Sequence, residues 1–173
     1  MNLIINPSTN KADIFSQITT ELFNMGFEVF SQDQTRPWGG FFVLEEKDAA
    51  FFAQIYFPHL EMSGMQITHK LSPKILVIAP NKRLSWQYHF RRSEVWKVIA
   101  GTDVGVKISY NNEEPADIEI LDSGSFIQID NGERHRLIGL NNWGLVAEIW
   151  RHTDSNQPSN EEDIVRLQDD FGR

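Results

Sequence analysis

Polar side chains that can bind metals occur within a strand-like stretch of the sequence. This stretch, "LSWQYHFRRSEVWKVIAG" (Leu84 to Gly101), places Gln87, His89 and Glu94 among aromatic and basic residues. Alternate side chains of a β-strand share a face, so Gln87 and His89 would point the same way. If the next strand begins at Glu94 and pairs with this one, the three polar groups would converge on one side of the sheet.

A second histidine occurs in "GSFIQIDNGERHRLIG", where His135 follows the turn at Asn131-Gly132 and would enter a further strand. Each polar group buried without a partner would cost roughly 1–7 kcal/mol, and a divalent cation removes that cost. Two imidazoles, one carboxylate and one amide oxygen suit zinc, and equally iron, manganese, cobalt or nickel. The combined spacing favours a metal site over two histidines at the surface or hydrogen-bonded in the core.

The net negative charge of the chain argues against a nucleic acid as its partner. The chain carries 16 Lys and Arg against 24 Asp and Glu, a net charge of -8, so a long polyanion such as DNA would be repelled. Basic residues nevertheless cluster locally, and this clustering predicts a small anionic ligand more than a nucleic acid. The clustered residues are Lys82, Arg83, Arg91, Arg92, Arg134 and Arg136.

These residues must be positioned by a mainly β domain. Short β-branched and aromatic segments from "KILVIAP" to "LVAEIW" are separated by turn signals, without helices between them. This pattern predicts an antiparallel sandwich or barrel. Amphipathic periodicity predicts a helix over Asn10 to Gly26. A second helix is expected over Lys47 to Phe57, although the apolar residues of this segment would also fit a strand. The tail from Ser159 onward is expected to form a short capped helix.

The length of 173 residues predicts one domain over 1–173. We expect a helical or irregular N-terminal portion (1–72), a β-barrel core (73–152) and a C-terminal tail (153–173). No segment has the length of a membrane span, and the start lacks the features of a signal peptide. The absence of cysteine fits a reducing compartment, so the expected location is the cytoplasm.

The spacings resemble the two motifs of the cupin superfamily. Its first motif is matched by Gln87, His89, Glu94 and Gly101, and its second by Gly124, Gly132 and His135. The resemblance implies a cupin jelly-roll barrel, here with an N-terminal helical extension and a short C-terminal helix.

A narrower resemblance is to the type II mannose-6-phosphate isomerases, through "QYHFRRSEVW", "RPWGG", "KILVIAPNKRLSWQ", "AEIW" and "EEDIVRLQDDFGR". It implies aldose–ketose isomerisation of mannose 6-phosphate and fructose 6-phosphate or a related sugar phosphate, with one divalent metal, zinc first. Stand-alone cupins of this appearance are sometimes labelled phosphoheptose isomerases. In larger members the cupin follows a nucleotidyltransferase domain. The resemblance here concerns the cupin alone, so guanylyltransferase activity is not implied.

The resemblance also implies residue roles. Arg92 matches the arginine of the signature and would bind phosphate or steady enediolate charge, and Lys74 and Arg173 could share these tasks. Glu148 is a candidate general base, which such a reaction requires. Four further residues are expected to bind the substrate, as basic groups or as an aromatic pocket wall: Lys82, Arg83, Arg136 and Trp38.

Two other functions stay open. Val95 replaces the histidine that follows the glutamate of the signature, and Phe171 replaces a tyrosine near the end, which makes a non-catalytic sugar-binding or sugar-phosphate-binding cupin credible. An iron-dependent oxygenase is possible because two histidines and one carboxylate suit iron, although Gln87 and the arginines argue against it. A homodimer is the expected assembly if the chain associates.

Overall fold

Two helices lie near the N-terminus of the computed structural model, which describes residues 1, 3–61, 70–99 and 101–172. Helix α1 spans Lys11–Asn24, and α2 spans Ala49–Tyr56 after a 3-10 turn at Glu46–Asp48. The side chain of Asn10 caps α1 by accepting a hydrogen bond from the amide of Asp13 at 2.9 Å. Both predicted helices are confirmed. None of the helices in these ranges is long and apolar enough to cross a membrane.

The rest of the described chain is dominated by β-strands. They are β1 Val29–Asp33, β2 Gly39–Leu44, β3 Lys74–Ile78, β4 Trp86–Tyr88, β5 Arg92–Val98, β6 Val104–Ser109, β7 Glu119–Leu121, β8 Phe126–Ile129, β9 Arg134–Gly139, β10 Gly144–His152 and β11 Val165–Gln168. The strands form two antiparallel sheets, with the orders β1-β2-β3-β10-β5-β8 and β11-β4-β9-β6-β7. The predicted antiparallel β architecture is confirmed.

The central strands of the six-stranded sheet are buried on both faces. In β3, Ile75 and Val77 pack with the two helices, whereas Leu76 and Ile78 belong to a second apolar cluster between the sheets. A strand covered on both faces needs apolar residues at successive positions instead of an alternating pattern. This arrangement explains the continuous apolar run "KILVIAP".

The same alternation decides which residues reach the barrel interior. In β10, Ala147 and Ile149 pack toward the helices, so Glu148 between them faces the other sheet. In β5, Val95 lies in the cluster that contains the helices, while Trp96 lies in the cluster between the sheets. The residue that replaces the signature histidine therefore points away from the interior.

Two expectations about the ends of the chain were wrong in part. The N-terminal portion, expected to be helical or irregular, contributes β1 and β2 to the six-stranded sheet. The tail from Ser159 forms a turn and then the strand β11, not a helix. Residues 165–168 alternate between half-buried and exposed, and they pair with β4, whose edge would otherwise leave backbone groups without partners.

Candidate metal centre

The imidazoles of His89 and His135 converge on the carboxylate of Glu94 inside the barrel. The three residues are buried, and their ligating atoms all lie within 4.8 Å of one another. Nε2 of His89 lies 3.1 Å from Oε1 of Glu94, and Nε2 of His135 lies 3.5 Å from Oε2. The structure thus brings together three of the four side chains expected to bind a metal.

The route by which these side chains meet differs from the expected one. We expected the strand of Gln87 and the strand of Glu94 to pair, but β4 and β5 belong to different sheets. Glu94 projects from β5 in one sheet and His135 from β9 in the other, while His89 directly follows β4. The cluster therefore forms across the barrel interior, where side chains of the two sheets face each other.

Hydrogen bonds from the outer nitrogens fix both imidazoles. Nδ1 of His89 lies 2.5 Å from the carbonyl oxygen of Asp163, and Nδ1 of His135 lies 3.0 Å from that of Glu133. A carbonyl oxygen only accepts, so each Nδ1 carries a hydrogen, and in the uncharged form of either ring the lone pair is on Nε2. This is the orientation in which metal-binding histidines are usually held.

The inner atoms of the cluster fit a cation. Oε2 of Glu94 and Nε2 of His135 are buried and have no hydrogen-bond partner within the described part of the chain. A carboxylate facing imidazole lone pairs in a dry interior is unfavourable, and a divalent ion satisfies both at once. The nitrogen and oxygen donors suit zinc and the other divalent metals expected from the sequence.

The pKa values of the ligands favour their metal-binding forms. Burial lowers the pKa of His135 to about 4, so this imidazole is neutral near pH 7. Burial alone would raise the pKa of Glu94, but the neighbouring His89 and Arg92 hold it well below its usual range. The cluster therefore presents an ionised carboxylate and an uncharged imidazole at neutral pH.

Gln87, the fourth expected ligand, lies beside this cluster. It is buried on β4 in register with His135, and it lines the same pocket as Glu94. Its Oε1 accepts a hydrogen bond from the hydroxyl of Ser85 at 2.6 Å. Its role as a ligand stays a prediction. To bind a metal, this oxygen would have to accept the Ser85 hydrogen bond at the same time or lose it.

Arg92 contacts two residues of the cluster, Glu94 and His89. Its guanidinium is buried against the ring of Trp150, with Cζ 3.6 Å from the ring centroid. Nε donates to Oε1 of Glu94 at 2.8 Å, and one terminal nitrogen lies 3.2 Å from Nε2 of His89. The other donates to the hydroxyl of Ser159 at 2.9 Å. With donors engaged on these groups, Arg92 is placed to orient metal ligands, whereas the sequence suggested a phosphate contact.

Glu148 and Lys74 extend the site away from the cluster. They are paired in register on β10 and β3, and both are buried. Burial and the nearby charge of Glu94 raise the pKa of Glu148 to about 8, although Trp96 donates a hydrogen bond to it at 2.9 Å. The Lys74 ammonium lies 3.7 Å from the centroid of the Trp150 ring.

These groups share one pocket. Its volume is about 170 Å³, and its walls include Trp38, Lys74, Gln87, Arg92, Glu94 and Glu148. The indole N–H of Trp38 is buried and has no acceptor in the described ranges. The pocket thus combines the carboxylate of the candidate metal centre, a second carboxyl group with a pKa of about 8, cationic groups and an aromatic wall.

Other predicted site residues lie elsewhere. Lys82 and Arg83 are exposed, and Arg83 pairs with Asp170 in the tail at 2.5 Å. Arg136 is buried next to His135, but its partner is Glu114 at 3.0 Å, and none of these three basic residues is part of the pocket wall described above. Their substrate-binding roles stay predictions that this placement does not support. The predicted role of Arg173 falls outside the described residues.

The pocket wall includes residues that were not predicted from the sequence, and Arg36 and Glu161 are two charged examples. Arg36 lines the pocket from the segment before β2, and Glu161 reaches it from the tail to form an ion pair with Lys74. Both occur in stretches that carry the family resemblance, "RPWGG" and "EEDIVRLQDDFGR". Their position in these stretches could have indicated a role in the site. An isolated charged residue in a loop does not by itself do so.

The two-sheet barrel and the buried His/Glu/His cluster define a cupin. More specifically, the chain belongs to the family described as "Mannose-6-phosphate isomerase C-terminal", whose model matches residues 45–169. The expected resemblance is thereby confirmed over more than two thirds of the chain.

Two curated relatives agree with this family. A mannose-1-phosphate guanylyltransferase of Salmonella montevideo is 28% identical over 120 residues, which are 69% of this chain and 23% of that protein. The xanthan biosynthesis protein XanB of Xanthomonas campestris pv. campestris (strain B100) is 26% identical over 126 residues, 73% of this chain and 25% of that protein. The chain spans about a quarter of the length of these relatives.

One solved structure supports the fold. The capsular polysaccharide assembling protein CapF from Staphylococcus aureus matches with a TM-score of 0.52 and 14% identity, over 80% of this chain and 34% of that one. At this identity the likeness concerns the architecture alone.

Proposed function

We propose that this protein is a metal-dependent isomerase that interconverts the aldose and ketose forms of a sugar phosphate. Mannose 6-phosphate and fructose 6-phosphate are the first candidate substrates, followed by a heptose phosphate. The observation that carries the proposal is the position of Glu148: this buried carboxyl group, with a pKa of about 8, shares a pocket with Glu94, the carboxylate of the His89, Glu94 and His135 cluster. Membership of the family supports it.

Glu148 is the proposed general base. The reaction moves a proton from C2 of the aldose to C1 of the ketose through a cis-enediol, while the oxygen-bound proton passes from O2 to O1. The carboxylate of Glu148 would take the C2 proton and return it to C1. A pKa of about 8 suits both steps, because the group can accept and release a proton near neutral pH.

A divalent metal, zinc first, would be held by His89, Glu94 and His135, with Gln87 as the proposed fourth ligand. When bound, it supplies Lewis-acid polarisation of the carbonyl and hydroxyl oxygens of the sugar. Arg92 would hold His89 and Glu94 in the geometry that binding requires, through its hydrogen bonds to both.

Two cations at the pocket wall are the proposed phosphate contacts. Nζ of Lys74 lies 5.8 Å from the centroid of the Phe41 ring, and Cζ of Arg36 lies 5.7 Å from the same centroid. A phosphate placed between them would receive charge-assisted hydrogen bonds. Trp38 would cover the sugar, and its indole N–H, which has no acceptor among the described residues, would donate to a hydroxyl group.

The competing functions have less support from the pocket. Sugar binding without turnover rested on Val95 and Phe171, but Val95 faces the helices and Phe171 packs at the edge of the inner apolar cluster. An oxygenase acting on an apolar substrate would have to accommodate Lys74, Arg36 and Glu148 in its pocket. We therefore treat both functions as outcomes of the test.

Solvent exchange during turnover tests the proposal. The purified protein, with its metal content measured, is incubated in deuterium oxide with mannose 6-phosphate, fructose 6-phosphate and a heptose phosphate in turn. We expect aldose–ketose interconversion with solvent deuterium at C2 of the aldose. Tight binding without conversion or exchange for any sugar would establish a binding protein instead, and oxygen consumption would establish an oxygenase.

A further inference from the structure

A turn of the C-terminal tail packs against the loop that carries His89. The carboxylate of Asp163 accepts hydrogen bonds from the amides of Phe90 at 3.1 Å and Arg91 at 2.9 Å. The hydroxyl of Ser159 donates to the same carboxylate at 2.7 Å. Asp163 is buried, so solvent does not weaken these charge-assisted hydrogen bonds. They hold the loop in place.

The same residue contacts the candidate metal centre from its backbone. The carbonyl oxygen of Asp163 accepts the hydrogen bond from Nδ1 of His89 at 2.5 Å. That bond sets the tautomer of the imidazole and turns Nε2 toward Glu94. Asp163 therefore holds His89 twice, by the loop that carries it and by the ring itself.

A second path runs from the turn through Arg92. One terminal nitrogen of Arg92 donates to the hydroxyl of Ser159 at 2.9 Å and to the carbonyl oxygen of Asn160 at 3.0 Å. Its other nitrogens contact Glu94 and His89. The position of the turn is thus transmitted to the carboxylate as well as to one imidazole of the cluster.

We infer that Asp163 is a positioning residue of the metal centre and that the tail acts as its outer shell. The inference rests on the metal that forms part of the proposed function. Asp163 would not bind the ion, and its contribution is to hold His89 and, through Ser159, Arg92 in the arrangement that receives the ion. Outer-shell partners of this kind typically change metal affinity roughly 10- to 100-fold.

Metal binding and docking of the tail are coupled as a consequence. If the docked tail favours binding of the ion, the bound ion must favour docking of the tail by the same factor. Arg166 in β11 is exposed, so tryptic cleavage after it reports how firmly the tail is docked. We expect zinc to slow this cleavage in the wild-type protein.

Asp163→Asn is the principal test, with Asp170→Asn as its matched control. Both variants remove one negative charge from the tail, but Asp170 is exposed and pairs with Arg83. In Asp163→Asn an NH₂ group replaces one acceptor oxygen. At least one of the groups that now donate to the carboxylate would therefore lose its acceptor. We expect zinc affinity, measured by competition with a chelating indicator, to fall roughly 10- to 100-fold in this variant alone.

Two further readouts separate positioning from general destabilisation. The visible spectrum of bound Co²⁺ should change in Asp163→Asn and not in Asp170→Asn, because it reports ligand geometry. Ser159→Ala removes one hydrogen bond to the carboxylate and one to Arg92, so it should show the same trend if Asp163→Asn fails to fold.

Failure of the inference and failure of the proposed function give different results. Unchanged zinc affinity and Co²⁺ spectra in Asp163→Asn and Ser159→Ala would overturn the positioning role while leaving the isomerase intact. Cleavage after Arg166 that zinc does not slow would overturn the coupling between metal and tail. A wild-type protein that takes up no metal would overturn the proposed metal-dependent function together with this inference.

Discussion

Two buried carboxyl groups in the pocket have pKa values that move in opposite directions. Glu94 lies against Arg92 and His89, and its pKa is held well below its usual range. Glu148 lies on the adjacent strand, where burial and the charge of Glu94 raise its pKa to about 8. Divergent environments of this kind assign different tasks to chemically similar groups. Glu94 is suited to bind a cation, and Glu148 is suited to exchange protons.

We expect Glu148→Gln to abolish most of the proposed isomerase activity while leaving the candidate metal centre intact. The amide has nearly the same shape as the carboxyl group and cannot accept a proton from C2, so kcat should fall roughly 10²- to 10⁴-fold. Zinc affinity at pH 7 should change little, because Glu148 is not one of the clustered ligands and is largely protonated at that pH in the metal-free protein. Activity of the wild type should rise with pH as Glu148 ionises, at or below pH 8, since a bound cation lowers its pKa further.

The control for this substitution is Glu119→Gln, which makes the same change at an exposed position on β7. This variant should retain wild-type kcat and its pH dependence. Glu148→Gln protein that exchanges deuterium at C2 at the wild-type rate would remove Glu148 from the mechanism.

Single substitutions of the two histidines should each remove the metal. In His89→Ala or His135→Ala, one nitrogen donor of the cluster is lost and the carboxylate of Glu94 is left with an incomplete partner set. Zinc content after dialysis should fall to well under one equivalent in both variants. His59→Ala is the control, because His59 is exposed and lies outside the cluster. Either cluster variant retaining a full equivalent would contradict the site.

Residue types and spacing predicted the three side chains of the cluster together with Gln87, which lies beside it. His89, Glu94 and His135 are polar groups in apolar stretches, and such groups must find partners. The contribution of Asp163 could not be predicted, because its contact with His89 is made by a backbone carbonyl. Every residue has a backbone carbonyl, so no residue type signals this contact.

At the scale of the elements, the pocket depends on close approach of β2 to β3. Gly39 pairs with Ile78, and its φ is +141°, a backbone conformation that favours glycine. A Cβ atom added at Gly39 would lie 1.9 Å from the carbonyl oxygen of Val77. Glycine at this position therefore lets the strand that follows Arg36 and Trp38 join the sheet next to Lys74.

We expect Gly39→Ala to destabilise the protein strongly. Backbone strain and the clash with Val77 should together lower the free energy of unfolding by about 3 kcal/mol or more. Gly124→Ala is the control, because Gly124 also has a positive φ, +87°, but an added Cβ would meet no atom within 4 Å. It should cost only about 1–2 kcal/mol. Urea unfolding measures both, and equal losses would contradict the importance of the close approach.

The prediction for the tail failed at this same scale. "SNEEDIVRLQ" contains a helix-capping pattern, and this local pattern predicts a helix. In the structure Ser159 binds Asp163 and Arg92, and the following residues pair with β4. Arg92 and β4 lie far away in the sequence, and a local pattern carries no information about them.

At the scale of the whole molecule, the sheets are assembled from distant parts of the chain. Strand β10 lies between β3 and β5, and β1 and β2 from the N-terminal portion extend the same sheet. The composition of the strands predicted an antiparallel β architecture, because many short apolar segments without intervening helices allow few alternatives. Strand order could not be predicted from composition, and it decides that Glu94 and His135 face each other from different sheets.

This assembly buries titratable groups whose pKa values have opposite effects on stability. His135 and His152 have pKa values lowered by burial to about 4 from 6.5, so the metal-free protein should lose stability as pH falls from 6.5 toward 4. Glu148 has a pKa raised by burial from 4.5 to about 8, so its contribution is lost as pH rises over that range. With two groups of the first kind and one of the second, stability should be highest near pH 6.5.

Urea unfolding of the metal-free protein from pH 5 to pH 8.5 checks this profile. Between pH 6.5 and 8 the free energy of unfolding of the wild type should fall by about 1–2 kcal/mol, because the folded state retains a proton on Glu148 that the unfolded state releases. In Glu148→Gln, where no such proton exists, the alkaline decline should disappear while the acidic decline remains. A wild-type profile that is flat above pH 6.5, or one that Glu148→Gln does not alter, would show that Glu148 is not held protonated by the fold.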